Sequence, residues 1–454
     1  MMLEPLNINR RNAIARMGAG MGTLGLFNAL QGKAYTSPHF APRAKRVIHL
    51  FMNGGPFGPD FMDPKPALKQ YAGQRPEGTD LRTERPTGGL LDAPYKYSRH
   101  GQSGLPISEL LPHTAKFADD LCVLRSLYTD NPNHGPALLL MNNGTMTPKV
   151  PSMGAWCSYG LGSENANLPT YVVLCPGRPV RFSILWNSAF LPSQHQGVYI
   201  NHSKIAPKEM IPWLRNAKLS PSAQRKQLDL MHALNREHLV VQGEEDNALQ
   251  GRIEAMETAY RMQFAATDAF DLGKEPVAVR ESYGKGHFAN GCLLARRLSE
   301  RGVRFIQVYY GNGQPWDTHR DHNKTTPNLA KAIDQPIAAL LGDLKVRGLL
   351  EETLVVWGGE FGRTPVSENG NGRDHNPHGF MMWLAGGGVK GGTTYGESDE
   401  FGFKAEHNRM HVHDLHATIL HLLGIDHERL TYKHAGRDYR LTDVYGKVAE
   451  DILS

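Results

Sequence analysis

The strongest constraint on the fold is a set of short, uninterrupted runs rich in β-branched and aromatic residues. They fall at residues 46–52, 121–124, 171–174, 303–309, 353–357 and 381–384, and most end in glycine and polar residues. Apolar runs without a two-residue alternation suit strands covered on both faces, as in a parallel sheet. Helical patterns separate several of them. Leu329, Ile333, Ile337, Leu340, Leu341 and Leu344 share one helical stripe, and Pro336 is expected to kink it. Asp414 reads as the N-cap of a helix over 415–423, with Gly424 as its C′ residue. Strands alternating with helices predict an α/β sheet fold.

Two stretches break the alternation. Residues 203–300 read as a helical insertion: Ser220-Pro221 supplies an N-cap and a first-turn proline. Leu249, Ile253, Met256, Tyr260 and Phe264 then recur at helical spacing, and this stripe is expected to pack into the core. Residues 54–105 are rich in Pro and Gly and read as a long, irregular surface excursion.

Composition narrows the function classes. A chain of 454 residues with 40% hydrophobic and 21% charged residues is neither disordered nor fibrous. No apolar run approaches the roughly 18 residues that would argue for a membrane span. The formal charge of +5 is small and the basic residues are scattered, so no nucleic-acid partner is expected. Arg10-Arg11 followed by a mild Gly/Ala-rich stretch over 17–30 resembles a twin-arginine export signal, with a candidate cleavage point near Ala34. Residues 1–45 are therefore expected to be a leader and tail, and 46–454 the folded domain, in a periplasmic or secreted protein. Cys122, Cys157, Cys175 and Cys292 have no C-x-x-C spacing, which excludes a zinc knuckle or thioredoxin-like motif. Histidine is abundant by contrast: there are 21, nine of them between His375 and His434. That balance hints at a metal bound through nitrogen and oxygen.

Ligands of open α/β sheets bind beyond the carboxyl ends of the strands. Polar residues crowd at those places here. The first run leads to Asn53-Gly54-Gly55-Pro56, then Asp60 and Asp63. The run at 303–309 leads to Trp316-Asp317-Thr318-His319, and that at 353–357 to Glu360 and Arg363. A following loop carries Arg373-Asp374-His375 and His378. Carboxylates and imidazoles on one sheet edge are what a divalent-metal hydrolase needs. Imidazole with carboxylate suits zinc or manganese, and oxygen donors suit calcium or magnesium. A guanidinium would complement the anionic group of an ester. Each piece also has a plainer reading as a turn, a cap or a structural ion pair.

Taken together, these motifs resemble one bacterial family. They are Asn53–Pro56 with Asp63-Pro64-Lys65-Pro66, Trp316–His319, Gly359-Glu360-Phe361-Gly362-Arg363-Thr364-Pro365, Gly372–His375, Ala385-Gly386-Gly387-Gly388 and the helix after Asp414. The family is catalogued as domain of unknown function 1501, is often labelled sulfatase-like, and is placed in the alkaline phosphatase superfamily. The resemblance implies an alkaline-phosphatase-like three-layer α/β/α sandwich with a mostly parallel sheet. It implies an exported metal-dependent hydrolase of phosphate or sulfate esters, acting on an anionic substrate such as a sulfated or phosphorylated glycan. Asp317, His319, Glu360, Asp374 and His375 would hold a divalent metal, with Asn53 adding an amide oxygen and His378 as an alternative last histidine. Arg363 or Arg373 would bind the anion. His134 would be a general base or phosphoryl acceptor, or would orient water. The sequence departs from the superfamily at two points. Asn53 or Gly54 stands where the first strand should end in a metal-binding Asp, and Asn133-His134 stands where a Ser, Thr or Cys nucleophile should open a helix. The alternative is a non-catalytic metal- or carbohydrate-binding protein on a decayed sulfatase-like fold.

Overall fold

A computed structural model describes residues 37–211, 218–242 and 247–454. The twin-arginine stretch and Ala34 lie outside the described residues. All six expected strands form, and they join one sheet. In chain order the main strands are β1 (Arg46–Phe51), β2 (Leu121–Tyr128), β3 (Tyr171–Leu174), β4 (Val198–Ile200), β5 (Phe305–Tyr309) and β6 (Thr353–Gly358). A hairpin of β7 (Gly362–Glu368) and β8 (Gly372–Asn376) follows, then β9 (Phe380–Ala385) and β10 (Thr393–Tyr395). The sheet runs β10-β2-β9-β6-β1-β5-β3-β4. Pairings are parallel through β6, β1, β5, β3 and β4. β9 is the exception and runs antiparallel to both β2 and β6.

The central strand shows why both faces must be covered. All six residues of β1 are buried. Successive side chains point to opposite faces. Ile48 and Leu50 join one core with helices α5 (His287–Glu300) and α6 (His322–Val346). Val47 and Phe51 join the other with α1 (His134–Asn143), α2 (Met153–Leu161) and α7 (Val412–Leu422). The result is helix, sheet, helix. The stripe Leu329 to Leu344 is buried as expected, and α6 continues through both Pro327 and Pro336.

Four expectations are corrected. Asp414 is not the N-cap of α7. His411 is, and Asp414 sits three residues into the helix, its carboxylate accepting from the His411 N–H at 2.8 Å. At the other end Gly424 takes φ +75°, and Gly424 and Ile425 donate to the His421 and Leu420 carbonyls, so the C′ reading holds. Residues 203–300 are largely helical, including α3 (Pro221–Gln242) and α4 (Asn247–Ala269). Yet α4 turns Met256 and Phe264 outward, 39% and 52% exposed, and buries Met262, Ala266 and Ala269 instead. In the same stretch α5 is a buried layer helix against the sheet rather than an insertion. Residues 54–63, expected at the surface, are buried throughout. Finally, residues 362–376, read as loops, form the β7–β8 hairpin, which turns at Asn369 (φ +51°) and Gly370 (φ +84°). The four cysteines are buried free thiols.

Candidate metal and ester site

The parallel strands bring their carboxyl ends to one edge. After β1 comes Asn53-Gly54-Gly55, after β5 the loop through Asp317 and His319, and after β6 Glu360. Backbones meet there at very short range. A Cβ on Gly54 (φ +116°) would lie 2.5 Å from the Asp317 nitrogen, so only glycine permits the crossing. The β7–β8 hairpin folds over the same edge and places His375 opposite Arg363.

Three ligand atoms converge. Asp317 Oδ1 lies 2.8 Å from His319 Nε2 and 3.1 Å from His375 Nε2, and the two imidazole nitrogens are 3.1 Å apart. A tetrahedral zinc with nitrogen ligands near 2 Å would separate them by roughly 3.3 Å. The far nitrogen of each ring is held by a carboxylate. His319 Nδ1 meets Glu368, and His375 Nδ1 meets Glu84 Oε2 at 2.6 Å. A carboxylate on Nδ1 holds the proton there and turns Nε2 inward, the orientation of metal-ligating histidines. Asp374 stands close enough to join His319 and His375 around one ion. Its Oδ2 accepts from the Arg85 N–H at 2.7 Å, while its buried Oδ1 has no hydrogen-bond partner. Asp317, His319 and His375 therefore meet, and Asp374 groups with the two histidines, so four of the six expected metal residues border this place with donors that fit a divalent cation.

Glu360 and Asn53 are placed differently. The fully buried Glu360 accepts from the Gly54 N–H at 3.1 Å, Gln314 at 2.8 Å and His134 Nδ1 at 2.7 Å. It stands behind His134 as its anchor. Asn53 turns to the 311–313 loop, donating to the Gly311 carbonyl at 3.0 Å and to that of Gly313. His378 meets the Arg82 carbonyl at 2.9 Å.

Both expected anion-binding arginines point into the scaffold. Arg363 has no exposed side-chain surface; it holds Asp317 Oδ1 at 2.7 Å and donates to the Gly54 and Gly55 carbonyls. Arg373 donates to the carbonyls of Thr364, Pro365, Leu91 and Asp92 and lies over the Phe57 ring. Four backbone acceptors leave it no share in binding an ester. Burial lowers its pKa to about 10.

His134 opens α1 behind Asn133, whose side chain caps the helix by accepting from the Gly135 N–H. Its Nε2 faces Asp317 Oδ2 at 3.3 Å. Burial alone would lower its pKa, but the hydrogen bonds to Asp317 and Glu360 outweigh burial and raise it to about 9. Burial would likewise raise Asp317, yet hydrogen bonds from His134, His319 and His375 hold it well below the usual carboxylate range. His319 is raised, because Asp317 and Glu368 outweigh its burial, while His375 is lowered by burial and by the charges of Arg363 and His134.

Sequence reasoning missed Glu84, Glu368 and Gln314. Glu84 sits in the Pro/Gly-rich stretch, where no periodicity marks a buried contact. Glu368 belongs to a strand read as loop.

The family described as "Protein of unknown function (DUF1501)" matches residues 44–453. This chain belongs to that family. No curated protein matches it in sequence. Among solved structures, this DUF1501 protein is similar to the lipoteichoic acid synthase LtaP from Listeria monocytogenes, with 9% identity, 91% of this chain and 80% of that one covered, and a TM-score of 0.39. It is similar also to the PsFucS1 sulfatase from Pseudoalteromonas sp., with 12% identity, coverage of 91% and 72%, and a TM-score of 0.35. A third is the C-terminal periplasmic domain of EcEptC from Escherichia coli in complex with Zn, with 9% identity, coverage of 86% and 84%, and a TM-score of 0.33. No described helix is long and apolar enough to cross a membrane.

Proposed function

We propose that this DUF1501 protein is an exported, metal-dependent hydrolase of phosphate or sulfate esters carried on a glycan. The observation that carries this reading is the meeting of His319 Nε2, His375 Nε2 and Asp317 Oδ1 within 2.8–3.1 Å, with both imidazoles keyed from behind by carboxylates. Without an ion, Nε2 protons bridge these imidazoles to Asp317; because a carboxylate also holds each Nδ1 proton, a divalent cation can take the place of the inward protons. Two imidazoles with one or two carboxylates favour zinc or manganese over calcium or magnesium. When bound, such an ion polarises a phosphoryl or sulfuryl oxygen and acidifies water.

The chain's own groups divide the remaining work. Arg363 fixes the Asp317 carboxylate, which is 23% exposed and so reachable by substrate. His134, whose pKa Asp317 and Glu360 raise to about 9 in the ion-free site, is suited to give a proton to the departing alcohol oxygen. Glu360 accepts from His134 Nδ1 and is itself held by Gln314, which leaves Nε2 facing Asp317. A second reading, a non-catalytic metal- or carbohydrate-binding protein, is favoured by one observation. Asn133 and His134 stand at the start of α1, and the Asn133 oxygen is occupied in capping.

The deciding experiment is metal analysis of the purified protein together with an aryl phosphate and aryl sulfate screen. Bound metal, and turnover lost in His319→Ala, support the hydrolase. Bound metal without turnover selects the binding protein. No bound metal, with wild type and variant alike in turnover, sinks the metal reading.

A further inference from the structure

Beside the site lies a cavity of about 640 Å³ bordered by Arg178, Phe182, Tyr199, Asn201, Glu209 and Asn312. It opens beyond the carboxyl ends of β3 and β4, on the same sheet edge as the metal residues. The chain ties one wall to the site. Asn312 accepts from the Arg178 N–H at 2.7 Å, and two residues later Gln314 reaches Glu360 and His134. The other connection is Arg181. A Cβ built on Gly135, next to His134 at the start of α1, would lie 2.6 Å from the Arg181 Nη2.

The chemistry of this wall is specific. Arg178 and Arg181 are exposed, and neither has a carboxylate partner among the described residues. The Arg178 guanidinium lies over the Phe182 ring, 5.1 Å from its centroid. Tyr199 is stacked on Trp186, and its hydroxyl donates to the Gly177 carbonyl at 3.0 Å. Arg181 and Phe182 both hold positive φ, +68° and +39°, a conformation costly for side-chain-bearing residues and concentrated at binding sites. Aromatic faces take the apolar side of a sugar ring, Asn201 and Glu209 take its hydroxyls, and free guanidiniums take an anionic substituent.

We propose that this cavity is a subsite for an anionic sugar unit adjoining the one that carries the scissile ester. The proposal rests on the ester-hydrolase reading of the neighbouring site, but binding tests it separately from turnover. The probe is sucrose octasulfate, titrated calorimetrically in physiological salt against wild type, the double variant Arg178→Ala/Arg181→Asn and the control Arg280→Ala. Asn tolerates the left-handed backbone at position 181, and a melting curve checks that the double variant is folded. Arg280 is an exposed arginine on the short helix Val277–Ser282. The expected result is at least a tenfold weaker Kd in the double variant, no change in the control, and much weaker binding of sucrose and of inorganic sulfate to wild type. Equal affinity in wild type and double variant overturns the subsite, as does an equal loss in Arg280→Ala. Should the double variant fail to fold, Arg178→Gln alone is expected to weaken binding severalfold, and its failure to do so overturns the subsite too. If no ester is turned over by any form while the double variant still loses affinity, the hydrolase reading fails and the subsite stands.

Discussion

Replacing Glu368 by Gln tests the metal geometry at one atom. Glu368 is 5% exposed, and its two oxygens face different partners. Oε2 meets His319 Nδ1, while Oε1 accepts from Arg85 Nη1 at 3.2 Å and Asn369 Nδ2 at 3.3 Å. In Glu368→Gln those two donors draw the amide oxygen to the Oε1 position. The amide NH₂ then faces His319 Nδ1, which must become an acceptor, so the ring proton moves to Nε2. A protonated Nε2 cannot ligate. Loss of a metal histidine's outer partner typically costs 10–100-fold in affinity, about 1.4–2.7 kcal/mol. Glu368→Gln is expected at the upper end of that range. Glu84→Gln is expected near the lower end, because Glu84 is 30% exposed and its amide is freer to turn its oxygen toward His375. Zinc competition against a chromophoric chelator measures both. Wild-type zinc affinity in Glu368→Gln would refute the tautomer argument and with it the placement of the ion between His319 and His375.

Three further outcomes follow. His134→Gln should lower kcat for an aryl ester by about 10²–10⁴-fold while leaving zinc affinity within a fewfold, and a kcat within threefold of wild type would remove His134 as proton donor. His49, buried in β1 with neither ring nitrogen paired, has its pKa pushed down by burial to about 3. The unfolded chain therefore takes up a proton below about pH 6.5 that the folded chain refuses until about pH 3, and stability falls as pH drops through that window. His49→Leu should abolish this contribution, about 2 kcal/mol between pH 6.5 and 5, and urea titrations with an unchanged acid slope would contradict it. Gly370→Ala places a Cβ in open space at φ +84°, so its cost should be that of the backbone alone, about 1 kcal/mol by chemical denaturation; a neutral result would mean the hairpin turn relaxes.

The sheet was legible because burial on both faces writes itself into the chain as unbroken apolar runs. The runs at 46–52 and 353–357 needed no tertiary knowledge to read as strands. The site was half legible for a related reason. Asp317, His319, Asp374 and His375 follow strands or fold back over their ends, so sheet topology alone gathers them. What could not be read was orientation. Arg363 and Arg373 look like anion binders by type, but each faces backbone carbonyls, and nothing in sequence says which way a guanidinium turns. The apolar stripe from Leu249 to Phe264 misled because helical spacing fixes which residues share a face, not which face meets the core. The carboxylates on His319 and His375 escaped notice because Glu84 lies in a stretch without period and Glu368 in a strand read as loop.

That stretch has a consequence for how the site responds to its ligand. Residues 82–85 reach the site through His375, Asp374, Glu368 and His378. If the proposed ion binds there, its occupancy and the docking of this strap share one free-energy cycle. Whatever factor the docked strap contributes to ion affinity, the ion returns to the docked strap. Chelation should accordingly hasten protease cleavage near Arg82 and Arg85, and a strap held down by a crosslink should slow ion release by the same factor that it tightens binding when association is unaffected.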